Sequence, residues 1–235
     1  MLETHHHPNQ VCELRLARPP VNALNPALVA ALNAALRTAL ACSRAVVISG
    51  QPGIFSAGLD VRELAALHDS QIQAFLLDFL ALQQCIARAP VPVIAGITGH
   101  SPAGGTVITL FCDYRVMAQG AWRIGLNEVQ IGLSPGPTIY RAFERLVGPR
   151  RAADWASRGL LVMPEAALAA GLVDELVEPQ AVIPRALAYA QELVALPRDG
   201  YALTRTIARA DLAALFDAGA GPVEAKAMLG LWLSA

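Results

Sequence analysis

Short apolar runs alternate with longer stretches of helical spacing along much of this chain. Residues 11–16 alternate apolar and polar positions, the period-two pattern of a strand. Asn25-Pro26 then opens a helix, with Asn25 as cap and Pro26 at the first helical position. Leu28, Leu32, Leu36 and Leu40 form its apolar face. Residues 45–48 and 93–97 are apolar throughout, as strands buried on both faces are. Between them the pattern predicts a short helix over 61–67 and a long one over 71–89, which Pro90 and Pro92 stop. Residues 104–111 read as a helix buried on all sides, and 114–118 as another strand. Beyond Pro137 helical spacing dominates, over 138–147, 149–158, 164–170, 181–196, 200–208 and 222–233. One strand, 172–177, follows Gly171, a residue suited to ending a helix. Roughly the first 150 residues thus mix strands and helices as β/α units do, and the rest is mostly helical. The expectation is an α/β core over residues 1–175 and a helical C-terminal region over 176–235, not two independent domains.

Composition narrows the class. The 235 residues are 54% hydrophobic and 16% charged, enough to build a large core and to bury surface against partner subunits. A formal net charge of −1 leaves no electrostatic footprint for nucleic acid or an anionic membrane. No uninterrupted apolar run reaches the ~18 residues of a membrane span. Cys12, Cys42, Cys85 and Cys112 lie far apart and have neither metal nor redox spacing, so they read as reduced thiols of a cytoplasmic protein. His5-His6-His7 read as part of a disordered leader, and no metal site is expected.

Chemistry concentrates in two small-residue turns and one acid. Phe55-Ser56-Ala57-Gly58-Leu59-Asp60 follows one apolar run and Ser101-Pro102-Ala103-Gly104-Gly105 another, each leading into a helix. Such turns free backbone N–H groups at a helix start, and two of them, at Leu59 and Gly104, can hold one developing oxyanion. Glu128, in Ile124-Gly125-Leu126-Asn127-Glu128, can carry a proton to and from carbon. Ile124, Leu126, Val129, Ile131 and Leu133 around it would raise its pKa, the direction a base needs. Each feature also has a bland reading. The glycines could simply permit tight turns, and Asn127 could cap a short helix with Glu128 in its first turn. Two other chemistries fail. Gly99-His100-Ser101-Pro102-Ala103 approaches the serine-hydrolase elbow, but no histidine follows Ser101 to act as base. Gly50-Gln51-Pro52-Gly53 follows a strand, yet neither nucleotide-binding fingerprint occurs.

Taken in order, Pro20-Val21-Asn22-Ala23-Leu24-Asn25, the Phe55 turn, Pro102-Ala103-Gly104-Gly105, Cys112-Asp113-Tyr114-Arg115 and the segment from Ile124 to Gly132 resemble the enoyl-CoA hydratase/isomerase (crotonase) superfamily over residues 14–177. The resemblance implies a right-handed spiral of repeated ββα units with a helical C-terminal extension that forms homotrimers, often paired into hexamers, and covers the active site. It implies an acyl-CoA thioester as substrate, with coenzyme A as part of it and no separate cofactor. The thioester oxygen would accept from Leu59 and Gly104, with Ala57, Gly58, Asp60 and Gly105 shaping the binding path. Hydratases of the superfamily use two glutamates; one matches Glu128, and Val107 stands where the other belongs. The Asn127-Glu128 pair, the following Gln130-Ile131-Gly132 and Pro-Ala-Gly-Gly look like the 3,2-enoyl-CoA isomerase branch of fatty-acid β-oxidation, in which the asparagine contacts substrate and the glutamate is the base. A hydratase, another single-base acyl-CoA enzyme and a non-catalytic acyl-CoA-binding member remain the alternatives. Ser134-Pro135-Gly136-Pro137 departs from the family pattern beside the acyl pocket.

Overall fold

The computed structural model describes residues 1–217 and 220–234. Strands β1 (Leu2–His7) and β2 (Val11–Leu16) lead into helix α1 (Pro26–Cys42), whose cap is Asn25, with Oδ1 accepting from Leu28 N–H at 2.9 Å. Next come β3 (Ala45–Ser49), β4 (Gly53–Ile54), α2 (Val61–Leu64) and α3 (Asp69–Ala87), then β5 (Val93–Ile97), β6 (Gly99–Pro102) and α4 (Gly104–Leu110). After β7 (Tyr114–Ala118) and β8 (Ile124–Gly125) follow α5 (Gly136–Val147), α6 (Pro149–Arg158), α7 (Pro164–Ala170) and β9 (Glu175–Val177). Helices α8 (Val182–Val194), α9 (Arg198–Ala208), α10 (Ala210–Ala214) and α11 (Ala220–Trp232) complete the chain.

Strands fall into two sheets, ordered β1-β2-β3-β5-β7-β9 and β4-β6-β8. All pairs are parallel except β1 with β2. The three passes that begin at β3, β5 and β7 each give one strand to the large sheet, one short strand (β4, β6 or β8) to the small sheet and then helix, which is the ββα spiral. One face of the large sheet packs Cys12, Leu14, Leu16, Val46 and Ile48 into a core shared with α1 and α3. The opposite face, through Val11, Ala45, Val47, Ile94 and Val116, is covered by Val182, Ala186, Ala190 and Val194 of α8. Burial on both faces is why β3 and β5 read as apolar runs rather than alternating ones.

Three expectations need correction. The histidine leader is not disordered: it is β1, paired antiparallel along β2 from Leu2↔Leu16 to His7↔Val11. Its order has a cause inside the sheet. Glu13 is fully buried, and its carboxylate accepts from Ser49 Oγ at 2.6 Å and Arg15 Nε at 3.0 Å, with His7 Nε2 at 3.1 Å. A buried carboxylate needs every donor it can find, and β1 brings one. The strand expected over 172–177 shortens to Glu175–Val177 because Leu172 N–H bonds back to Ala167 O at 2.9 Å, closing α7 instead of entering the ladder. Strands β4, β6 and β8 and helix α10 were not anticipated; runs of two to five residues are too short to show a period.

Candidate active site

The first turn is tied by its backbone N–H groups to the segment before α1 and to the Ser56 hydroxyl. Ala57 N–H donates to Val21 O at 2.9 Å, Gly58 N–H to Ser56 Oγ at 3.1 Å and Asp60 N–H to Leu24 O at 3.0 Å. Among the described residues the N–H of Leu59, between them, finds no acceptor. The second turn repeats the arrangement. Ala103 N–H donates to Gly125 O at 2.8 Å, and Val107 N–H to Ala103 O at 2.9 Å as the first bond of α4. The N–H of Gly104 lies ahead of that bond, has no acceptor among the described residues, and sits at the positive end of a helix.

Small residues let the two turns touch. Gly58 has φ +87°, and a Cβ there would lie 3.1 Å from Gly104 N. A Cβ on Gly105 would lie 2.7 Å from Ser56 O. Ala103 carries the local strain: at φ +46° it occupies a region disfavoured for a residue with a Cβ, and it is the residue that launches α4.

Ala57, Leu59, Gly104, Asn127 and Glu128 come together on one cavity of about 290 Å³. Gly58, Asp60 and Gly105 stand behind its wall. Asp60 caps α2, its Oδ1 accepting from Glu63 N–H at 3.1 Å, and pairs with Arg18 at 2.8 Å. The remaining lining is almost wholly apolar and includes Phe79, Val107, Ile131, Leu133, Ile139, Leu161 and Met228. Glu128 is the one titratable side chain among the described residues that line it.

Glu128 opens a single 3-10 turn, Glu128–Ile131, ended by Gly132 at φ +77°. Its Oε2 is buried without a partner, and burial pushes its pKa up to about 7, while its own backbone N–H pulls in the other direction. Asn127 does not cap the turn. Its side chain makes no cap bond, and its Oδ1 is a second buried, unpartnered acceptor beside the carboxylate. The capping explanation of this pair therefore fails. Leu126 and Ile124 are buried and Ile131 and Leu133 line the cavity, but Val129 faces outward at 38% exposure. Ser101 is fully buried and does not line the cavity. Among the described residues no three His, Cys, Asp or Glu side chains group as metal ligands.

Known proteins with this arrangement decide the family. The family model for enoyl-CoA hydratase/isomerase matches residues 6–220. The chain belongs to the enoyl-CoA hydratase/isomerase family. Among its relatives, the human mitochondrial enoyl-CoA delta isomerase 1 is 30% identical over 203 residues, covering 85% of this chain and 67% of that protein. A probable enoyl-CoA hydratase from Rhizobium meliloti (strain 1021) is 32% identical over 184 residues, covering 77% of this chain and 70% of that protein. The crystal structure of human mitochondrial delta3-delta2-enoyl-CoA isomerase superposes with a TM-score of 0.91 at 26% identity, over 98% of this chain and 91% of that one. The family thus includes both isomerases and hydratases at similar distance from this chain.

Sequence reasoning missed Phe79, Leu161, Ile139 and Met228. They come from α3, the segment after α6, α5 and α11, and no local motif links them; only the fold brings them to one wall.

Proposed function

We propose that this chain is a 3,2-enoyl-CoA isomerase, moving the double bond of a 3-enoyl-CoA to the 2-trans position. The observation that carries the reading is the count of carboxylates: Glu128 in the cavity, and Val107, 1% exposed, lining it where a second carboxylate would serve a hydratase. Adding water across a double bond requires a water molecule held and activated between two such groups. Moving a double bond requires one base that takes a proton and gives it back.

Glu128 removes a proton from C2, beside the thioester carbonyl. The electron pair left at C2 delocalises through C1 onto the thioester oxygen, and the conjugated C3=C4 double bond makes C4 a second nucleophilic carbon. The N–H groups of Leu59 and Gly104 donate to that oxygen, and one such donor typically contributes roughly 10²–10³ in rate. The protonated Glu128 then delivers its proton to C4, and the double bond rests between C2 and C3. A carboxyl with a pKa of about 7 suits both halves of this cycle near neutral pH, being neither too weak a base nor too weak an acid. On this reading Asn127 contacts the substrate, which its unpartnered Oδ1 and its position on the cavity lining support.

The test is conversion of 3-enoyl-CoA to 2-enoyl-CoA by the purified chain and by Glu128→Gln. Turnover that vanishes in the variant is expected. Acyl-CoA binding without turnover would favour a non-catalytic member instead.

A further inference from the structure

The Ser134-Pro135-Gly136-Pro137 segment, which departs from the family pattern, meets another buried carboxylate. Glu224 of α11 is 4% exposed, and its Oε1 accepts from Thr138 N–H at 3.2 Å while its Oε2 accepts from Thr138 Oγ1 at 2.5 Å. It thereby caps the start of α5 from a different helix. The local sequence is built for this contact. Pro137 has no N–H to satisfy, and Gly136, at φ +80°, has no Cβ that would run into Glu224 Oε1. Only Thr138 donors act on this carboxylate among the described residues, with the helix dipole beside them.

Both sides of this clamp wall the Glu128 cavity. On one side Ser134 and Pro135 line it directly, with Ile139 in the next turn of α5. On the other side Met228, four residues and one helical turn beyond Glu224, also lines it. Trp232, one turn further, lines an adjoining hollow of about 210 Å³ that shares Val61, Ile131 and Leu133 with the main cavity. Glu224 itself does not line the cavity, so it acts only through what it holds.

We propose that Glu224 is a positioning residue that sets acyl-chain length: by tying α11 to the start of α5 it fixes Met228 and the Ser134-Pro135 corner as the apolar end wall of the site. The inference rests on the isomerase reading for its substrate. Released from the clamp, Met228 recedes and the cavity opens toward the hollow beside Trp232. Longer acyl chains then gain contacts and short ones lose them.

The experiment compares kcat and KM for 3-hexenoyl-CoA and 3-dodecenoyl-CoA in the wild type, Glu224→Ala, Glu224→Gln and Met228→Ala. The long-to-short ratio of kcat/KM is expected to rise about tenfold in Glu224→Ala, the scale of a methylene gained or lost in an apolar pocket. The change should lie in KM, Met228→Ala should move the ratio the same way, and Glu224→Gln, which keeps an acceptor for Thr138, should restore it. A ratio within twofold of wild type in Glu224→Ala, or an equal loss of kcat for both substrates, overturns the proposal. If Glu224→Ala does not fold, Thr138→Val and Met228→Ala decide it by the same ratio. Failure of the isomerase reading shows separately, as no turnover by the wild type; the length ratio is then read from calorimetric Kd values for hexanoyl-CoA and dodecanoyl-CoA, with the same outcomes supporting or overturning it.

Discussion

Replacing Glu128 with glutamine should make the protein more stable, and the gain should depend on pH. The ordinary pKa of the group is 4.5, and burial raises it to about 7 in the folded chain. Below pH 4.5 the carboxyl is neutral whether the chain is folded or unfolded, and its ionisation costs folding nothing. Between 4.5 and about 7 the unfolded chain gives up the proton first, so folding loses about 1.4 kcal/mol per pH unit. Above about 7 both states are ionised and the loss levels off at about 3 kcal/mol. Glutamine has nearly the same shape and cannot ionise, so it removes this loss. Taking the difference in unfolding free energy between variant and wild type at pH 8, and subtracting the same difference at pH 5, cancels whatever else the substitution changes. The expected remainder is about 2.5 kcal/mol in favour of glutamine at the higher pH. Urea unfolding followed by circular dichroism at the two pH values measures it. A remainder near zero would mean that the carboxylate is already solvated or paired, and the argument that the cavity tunes a base would fall. The same substitution abolishes the proposed activity, so stability and function trade against each other at this one position.

Other outcomes follow from the same geometry. The kcat/KM for 3-enoyl-CoA should climb with pH and level off above about 7, being about tenfold below its plateau at pH 6; a flat profile from pH 5.5 to 8 contradicts Glu128 as base. Gly58→Ala puts a Cβ 3.1 Å from Gly104 N at φ +87°, so it should cost about 1–3 kcal/mol in urea unfolding and lower kcat by separating the two turns; a variant as active as the wild type would show that the turns need not touch. Glu13→Ala strips Ser49, Arg15 and His7 of their shared acceptor and should destabilise the chain by about 1–3 kcal/mol, with amide exchange in β1 accelerating more than in β5. Equal exchange in both strands would argue against Glu13 as the anchor of the N-terminal strand.

Much of the framework could be read from local pattern, and the reasons differ by element. Asn25-Pro26 announces α1 because the cap and the first-turn proline are both local signals, and the cap bond is present. Strands β3 and β5 are legible because burial on both faces leaves residues 45–48 and 93–97 without a polar side chain. Strand β1 was not legible, since its reason to be ordered is Glu13, whose burial depends on strands distant in sequence. The site divides in the same way. Leu59, Gly104 and Glu128 stand in compact motifs whose residues each have a local physical purpose. Asn127 looked like a cap in sequence, and only its unpartnered Oδ1 in the folded chain separates the two readings. Gly58, Asp60 and Gly105 belong to the same motifs yet serve the turns and not the cavity surface, a distinction made by backbone contacts that no spacing encodes. Met228 and Phe79 reach the cavity from helices far apart in the chain, so nothing nearby in sequence marks them.

The claim that one carboxylate makes this member of the family an isomerase is tested most directly by offering the purified chain 3-enoyl-CoA and 2-enoyl-CoA of the same length in parallel. Product formation from each is followed by chromatography. Conversion of the first to 2-trans-enoyl-CoA is expected, with hydration of the second slower by at least about a hundredfold, the contribution of a missing acid–base group. Hydration of 2-enoyl-CoA at a comparable rate, with Val107 in place of the second glutamate, would contradict the account.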